Sequence, residues 1–359
     1  MREHSLPFEI SEAELAEPAA DEVLVRIAGV GFCRTDLMPR DPVYGIAMPV
    51  VLGHEGSGTV ESVGAAVTDI IQGDRVVMSF DSCGVCRACR VARPANCASF
   101  FARNLTGRSP EGTWRAHDPQ GEVIHMGWFG QSSFATYAVA KARSLVKVPD
   151  RGLPLALLGP LGCGFQTGAG SILESLRVRA GTSLVVAGTG AVGLTAVMTA
   201  RLCGAAPIIA VDLNPARRRL ALELGATHAL DVETPLLPEA IRRITGGQGA
   251  DYTLDTTGAP AVITAMILAL HSHGTCGLVG VQKGDFTVDP WLVSMGRTIH
   301  GIIEGDSVPH ILIPRLVSLW EGGRLPFDRL IRTYPLDDIR QAEEDMRAGE
   351  VVKAVLLPG

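Results

Sequence analysis

Residues 183–193 read SLVVAGTGAVG. The apolar run Ser183–Ala187 has the length of a buried strand, and it passes directly into Gly188-Thr-Gly190-Ala-Val192-Gly193. A lone G-x-G-x-x-G is weak evidence. Set between a strand and the helical stretch Ala191–Cys203, it predicts a dinucleotide-binding turn. The first glycine permits the tight turn, the second lets backbone amides approach a pyrophosphate, and the third lets helix and strand pack closely. The helix N-terminus then presents free N–H groups to the phosphates. A glycine-rich turn with no ligand is the plain alternative, and the flanking pattern weighs against it.

Downstream, strand and helix alternate. Ile208–Val211 reads as the next strand. Asn214 reads as an N-cap with Pro215 at the first helical position, and Gly225 as the stop. Tyr252–Asp255 and Thr275–Val279 read as strands flanking a helix Ala261–Leu270. Strands separated by helices predict an α/β fold, a doubly wound parallel sheet of the Rossmann type, here placed at 165–295. Asp212 ends the second strand, where a carboxylate accepts both ribose hydroxyls of NAD and repels the 2′-phosphate of NADP. Arg217 lies just behind it and argues weakly for NADP; its plain reading is a solvated residue early in a helix, and the acid decides for NAD.

Upstream the texture is different. Residues 21–147 read as short β segments (Val23–Ile27, Gly58–Val63, Arg75–Met78, Phe134–Val139) punctuated by glycine and proline. Within them lies Cys83-x2-Cys86-x2-Cys89-x7-Cys97. Four thiolates this close suit one tetrahedral ion, zinc before iron–sulfur, in a closed structural site; a disulfide-stapled loop or chance core thiols are the alternatives. A second candidate set is scattered: Cys33, His54 in Gly53-His-Glu55-Gly, and Cys163 in Gly159-Pro-Leu-Gly-Cys163-Gly. Singly, each is read as a core thiol or a hydrogen-bonded loop histidine. Together, two thiolates and an imidazole with no fourth protein ligand describe an open zinc site.

Composition sets the outer bounds. The chain has 359 residues, 47% hydrophobic and 19% charged, which fits a folded chain of two domains. A net charge of −6 leaves no basic surplus for phosphate backbones, which argues against nucleic acid as a partner. The N-terminus has no apolar targeting core, and no run is long and apolar enough to span a bilayer, so no membrane partner and a cytoplasmic location are expected. In that setting eight cysteines read as metal ligands and core thiols.

In combination and order, Cys33-Arg-Thr-Asp36, Gly53-His-Glu55, the four-cysteine run, Leu161-Gly-Cys163-Gly, Gly188–Gly193 and Asp212 resemble the zinc-dependent alcohol dehydrogenases of the medium-chain dehydrogenase/reductase family. The resemblance covers nearly the whole chain. A zinc site of two cysteines and one histidine is the established catalytic set of such enzymes. Within the family, Phe129–Tyr137 and Gly159–Gly170 look like the aryl-alcohol (benzyl alcohol) branch. The resemblance implies a β-rich, GroES-like catalytic domain at 1–164 and 296–359, holding one catalytic zinc on Cys33, His54 and Cys163 and one structural zinc on Cys83, Cys86, Cys89 and Cys97. It implies that Thr35 passes the alcohol proton toward the cofactor ribose, that Asp36 fixes the His54 tautomer, and that Glu55 sits behind the metal. Arg34 and Lys353 are implied at the pyrophosphate and Thr167 against the nicotinamide, with Tyr44, Phe80, Trp128, Phe129 and Ile303 lining the substrate channel. The implied reaction is NAD-linked interconversion of a primary, aromatic alcohol and its aldehyde. A general or terpenoid primary-alcohol dehydrogenase is the runner-up.

Two departures stand out. Many relatives carry a histidine where this chain has Met38, so the proton relay must end elsewhere. Relatives also have a short β segment ahead of the part matching Arg2–Phe8, so either that strand is absent or the start lies upstream of Met1. The segment between Cys97 and Trp128 resembles the insertion of dimeric branches, which implies a homodimer, with a homotetramer as the alternative, joined through the strand Thr298–Ile303. Two other classes of reading compete. A zinc-ribbon interaction module leaves Gly188–Gly193 unexplained, and a scaffold without catalysis leaves the intact Cys33, His54 and Cys163 unexplained.

Overall fold

A computed structural model describes residues 1–109, 112, 115–150, 152 and 154–359. The chain forms two compact units. One is Met1–Gly164 with Val308–Glu321 and Pro326–Gly359; the other is Phe165–Ser307 with Gly322–Leu325.

The second unit is built on a six-stranded sheet whose strands all run parallel, in the order His228–Leu230, Ile208–Val211, Leu184–Ala187, Ala250–Asp255, Leu270–Leu278, Thr298–Gly301. This is the doubly wound order, with its switch point beside Leu184–Ala187. Leu184–Ala187 and Ile208–Val211 are buried at every residue, which is why they read as unbroken apolar runs instead of alternating ones. The helix Ala191–Leu202 follows the first strand. Asn214 caps the next helix, Pro215–Leu224, accepting from the Ala216 and Arg217 amides, and Gly225 closes it at φ 129°. The sequence reading closes this domain at 295. Instead Thr298–Gly301 pairs with Leu270–Leu278, from Thr275↔Thr298 to Leu278↔Gly301, and the unit continues to Ser307.

The first unit carries a seven-stranded sheet. Its path is Ile331–Pro335, Lys353–Leu357, Glu22–Gly31, Gly56–Val63, Arg75–Met78, Leu145–Lys147, and Tyr137–Lys141 also pairs with Glu22–Gly31. The β segment expected at Phe134–Val139 therefore starts later. The core packs Val23, Val25, Phe32, Leu52, Met78 and Trp128 among others. Several elements carry no clear signal in the sequence: the short strand His228–Leu230, the helices Leu237–Ile244 and Ile339–Ala348, and a three-stranded sheet of Glu14–Leu15, Arg115–His117 and Val123–His125. The segment between Cys97 and Trp128, which carries the dimer expectation, includes residues 110, 111, 113 and 114, outside the described ones. Among the described residues no helix is long and apolar enough to cross a membrane.

Candidate active site

Cys33 follows the long strand Glu22–Gly31, His54 precedes Gly56–Val63, and Cys163 ends the turn Gly159–Gly162. Side chains far apart in sequence meet here. The ligand atoms of Cys33, His54, Glu55 and Cys163 all lie within 4.8 Å of one another. Glycines let the last of them reach the cluster: a Cβ on Gly162 would stand 1.9 Å from the Met78 carbonyl oxygen, and one on Gly159 2.1 Å from that of Glu55. Only a bare backbone can press so close to the sheet.

The electrostatics suit a cation. The Cys33 thiol is held well below its usual value, first by a hydrogen bond from Cys163, against burial. His54 is fully buried. Its Nδ1 lies 2.8 Å from Asp36 Oδ1, and its Nε2 is buried with no hydrogen-bond partner. A proton on Nδ1 facing the carboxylate leaves the Nε2 lone pair free for a metal. Asp36, itself fully buried, accepts four N–H groups: Gly53 N (3.1 Å), His54 Nδ1 and Trp128 Nε1 (2.8 Å) on Oδ1, and Cys33 N (3.1 Å) on Oδ2. Burial raises the Glu55 carboxyl, and the Lys353 ammonium opposes that shift. Lys353 Nζ donates to Glu55 Oε1 (2.9 Å), Glu55 Oε2 (2.8 Å) and the Phe32 carbonyl (3.1 Å).

The four-cysteine run forms a second, separate cluster. All eight cysteines of the chain are free thiols, so no disulfide staples the loop. Cys86 Sγ and Cys89 Sγ lie 3.6 Å apart, and Cys83 Sγ and Cys89 Sγ 3.9 Å apart. A tetrahedron with metal–sulfur bonds of ~2.3 Å has sulfur–sulfur edges of ~3.8 Å. Backbone amides point at the sulfurs: Cys86 N at Cys83 Sγ and Cys83 N at Cys97 Sγ, both 3.3 Å, and Ala98 N at Cys86 Sγ, 3.5 Å. The Ala98 amide leads in lowering Cys86 to about 6, whereas burial, then Cys86, pushes Cys89 up to about 12. The residues of both clusters fit zinc.

In the second unit the glycine turn is built as its spacing implies. Gly188 has φ 86°, and a Cβ on Gly193 would lie 1.9 Å from the Gly188 carbonyl oxygen. A Cβ on Gly190 would meet nothing within 4 Å, which leaves an open cradle beside the backbone for a phosphate. Val192 packs under Gly168, whose Cβ would lie 2.3 Å from the Val192 carbonyl. Asp212 Oδ2 accepts from Thr189 N (2.6 Å) and Thr189 Oγ1 (2.7 Å), and Oδ1 from Asn214 N (2.8 Å). The Asp212 carboxylate is thereby tied to the glycine turn. Arg217 is half-buried; burial lowers its pKa and the Asp212 charge opposes that, so it is not the solvated residue of the plain reading.

A family model for the alcohol dehydrogenase GroES-like domain matches residues 19–150, and one for zinc-binding dehydrogenases matches 191–318. Geraniol dehydrogenase of Castellaniella defragrans is 45% identical, covering 99% of this chain and 96% of that protein. The chain belongs to the zinc-dependent alcohol dehydrogenases of the medium-chain dehydrogenase/reductase family. A zinc-binding-domain alcohol dehydrogenase from Burkholderia ambifaria has a solved structure with TM-score 0.96 and 49% identity, over 100% of this chain and 97% of that one. Benzyl alcohol dehydrogenase from Acinetobacter calcoaceticus aligns with TM-score 0.93 and 40% identity, over 100% of this chain and 98% of that one. Members of this family work with zinc and NAD(H), and this chain is an alcohol dehydrogenase acting on small molecules.

The structure gives each residue with a role implied by resemblance its surroundings. Lys353 is buried, and its three N–H bonds are all taken within its own unit, so it offers no donor to a pyrophosphate. Trp128, Phe129 and Phe80, expected in the substrate channel, are 0%, 5% and 4% exposed and belong to the core. The Phe129 ring stacks on His54 at 4.2 Å, and Phe80 packs on Phe100. Tyr44 and Ile303 are exposed, at 44% and 37%. Thr35 is half-buried, with its Oγ1 3.6 Å from Cys33 Sγ, and Arg34 is exposed. Thr167 is buried and, with Gln166, donates to Glu304, a buried residue at φ 50°. Met38 packs against the apolar core. Sequence reasoning missed Gln131, whose Nε2 donates to the His54 carbonyl (3.0 Å) and whose Oε1 accepts from Gly56 N (3.1 Å). No local spacing marks it.

Proposed function

We propose that the enzyme interconverts a primary alcohol whose carbinol carbon is attached to an sp2 carbon, of benzyl or geraniol type, and the matching aldehyde, with NAD. The alcohol gives a hydride to the cofactor and a proton to the protein or solvent. The observation that carries the reaction is the Cys33–His54–Cys163 cluster, half-buried at Cys33 and buried at the other two, with the unpartnered Nε2 of His54 beside it. Substrate class rests on the relatives: one acts on geraniol by name, another on benzyl alcohol. In both alcohols the reacting carbon sits beside a double bond or ring, so the class they share is favoured over either alone. We place one zinc in this cluster and one in the four-cysteine cluster.

Zinc held by Cys33, His54 and Cys163 would supply a Lewis acid that lowers the pKa of an alcohol oxygen, and NAD would supply the hydride acceptor. The chain's own residues do the rest. Asp36 holds the proton on His54 Nδ1. Thr35 Oγ1, beside Cys33, takes the alcohol proton outward. Lys353 balances the buried Glu55 carboxylate at the back of the cluster. The Gly188–Gly193 turn would receive the pyrophosphate, Thr167 the nicotinamide, and Asp212 the ribose. Tyr44 and Ile303 remain as substrate contacts.

The deciding experiment is a panel of benzyl alcohol, geraniol, ethanol and a polyol with NAD and NADP. Preference for both unsaturated alcohols over ethanol supports the reading, and ethanol or the polyol as best substrate overturns it. NAD should be preferred over NADP, and Asp212→Ala should narrow that preference about tenfold or more, because a carboxylate facing a phosphate is removed. Equal use of both cofactors by the wild type contradicts the role given to Asp212. We further propose a cytoplasmic homodimer joined through Thr298–Gly301, the last strand on its side of the six-stranded sheet. Trp291, Val293 and Met295, in the segment before that strand, are exposed apolar residues, consistent with such a contact. A tetramer by light scattering would refute the dimer.

A further inference from the structure

The turn Gly127–Ser132 encloses His54 from three directions. The indole of Trp128 is fully buried, yet its N–H does not go unused: it reaches Asp36 Oδ1 at 2.8 Å, the same oxygen that faces His54 Nδ1 at 2.8 Å. Phe129, at φ 49°, lies stacked on the imidazole with an interplanar angle of 21°. A bulky residue at positive φ is strained by about 1–3 kcal/mol, and such strain persists only where surrounding contacts impose it. Those contacts are present. Trp128 N donates to Ser132 Oγ (3.0 Å), the Trp128 carbonyl accepts from Gln131 N and Ser132 N (both 3.0 Å), and Gln131 grips the backbone on either side of Glu55.

We propose that Trp128 is a positioning residue of the metal centre: its indole N–H fixes the direction of the Asp36 carboxylate, and through it the ring plane and tautomer of His54. The reason is geometric. Asp36 Oδ2 takes one backbone amide and Oδ1 takes three N–H groups. Gly53 and Cys33 supply backbone amides from the segments that bear the ligands themselves, so they move with the ligands. Among the described residues Trp128 is the one donor to Asp36 that comes from a third segment, and it ties the carboxylate to a frame independent of Cys33 and His54. Without it, the carboxylate is free to rotate with the loop that it is meant to hold. The inference rests on the reading of Cys33, His54 and Cys163 as a zinc site.

The test is zinc release from the purified holoenzyme to a chromophoric chelator, together with the visible spectrum after cobalt exchange. Three proteins are compared with wild type: Trp128→Phe, a protein with 3-benzothienylalanine at 128, and His54→Ala. The benzothienyl side chain keeps the shape of indole and exchanges its N–H for sulfur, so it removes the hydrogen bond without opening a cavity. His54→Ala identifies the release phase that belongs to the four-cysteine cluster. Zinc held by the other cluster is expected to leave about 10–100-fold faster in the benzothienyl protein, the usual cost of losing an outer hydrogen-bond partner. Its melting temperature and four-cysteine phase should be unchanged, and its cobalt bands shifted. Trp128→Phe should release at least as fast. Wild-type release and spectrum in the benzothienyl protein overturn the inference while the zinc reading stands. A wild type that holds metal in the four-cysteine cluster alone overturns both.

Discussion

The two cysteine clusters of this enzyme are built on opposite plans. The four-cysteine cluster is one loop, Cys83 to Cys97, and its sulfurs are stabilised by that loop's own amides. The Cys33–His54–Cys163 cluster is assembled from three segments and braced by side chains from two more: Trp128 and Gln131 on one turn, and Lys353 on a distant strand. A closed site needs little besides its ligands, because a full tetrahedron defines itself. An open site must hold its ligands in place while one position exchanges substrate, so the protein supplies the rigidity that a fourth ligand would give.

The largest effects should separate the clusters. Cys163→Ala is expected to lower turnover about 1,000-fold or more, the several kcal/mol that a Lewis acid contributes, while the protein stays folded and binds NAD. Cys89→Ala should instead lower the melting temperature by roughly 10 °C, since metal binding there is folding free energy. Full stability and zinc content in Cys89→Ala would collapse the distinction between the plans. Next comes Asp36→Asn, which preserves shape but weakens the hold on His54 Nδ1. Metal affinity of the open cluster should fall about 10–100-fold, and zinc in the four-cysteine cluster should be untouched; equilibrium dialysis reads both.

The smallest effect concerns the proton that only the open cluster must release. Met38 packs against the core and has no group to carry a proton. Met38→His should raise alcohol oxidation near neutral pH by about threefold and do little at high pH, because a group with a pKa near the working pH shuttles best. Superimposable pH–rate profiles for the two proteins would give Met38 a packing role alone.

This contrast also explains what the sequence could reveal. The four-cysteine cluster and the glycine turn are local, so spacing announces them: the steric demand on Gly193 comes from Gly188, five residues earlier. Cys33, His54 and Cys163 acquire meaning only as a set. Their supports acquire it only in three dimensions, since nothing near Trp128 says that its N–H meets Asp36, 92 residues earlier. Resemblance assigns Trp128 and Phe129 to a substrate channel, and a sequence displays their type and not their burial. Lys353 looks like an anion binder for the same reason, although its charge is neutralised by Glu55. Edge elements such as His228–Leu230 and Ile331–Pro335 escape because they are short or only partly apolar.

The ion pair of Glu55 and Lys353 has a consequence for how the molecule is made. During synthesis the four-cysteine loop has every ligand once Cys97 has left the ribosome, so it can capture its ion early. The other centre has its last ligand at Cys163, but the buried Glu55 carboxylate beside it lacks a counter-charge until the strand Lys353–Leu357 has been translated and docked. On the two-zinc reading proposed above, the closed site could take its ion first, and the open one only once Lys353 stands beside Glu55.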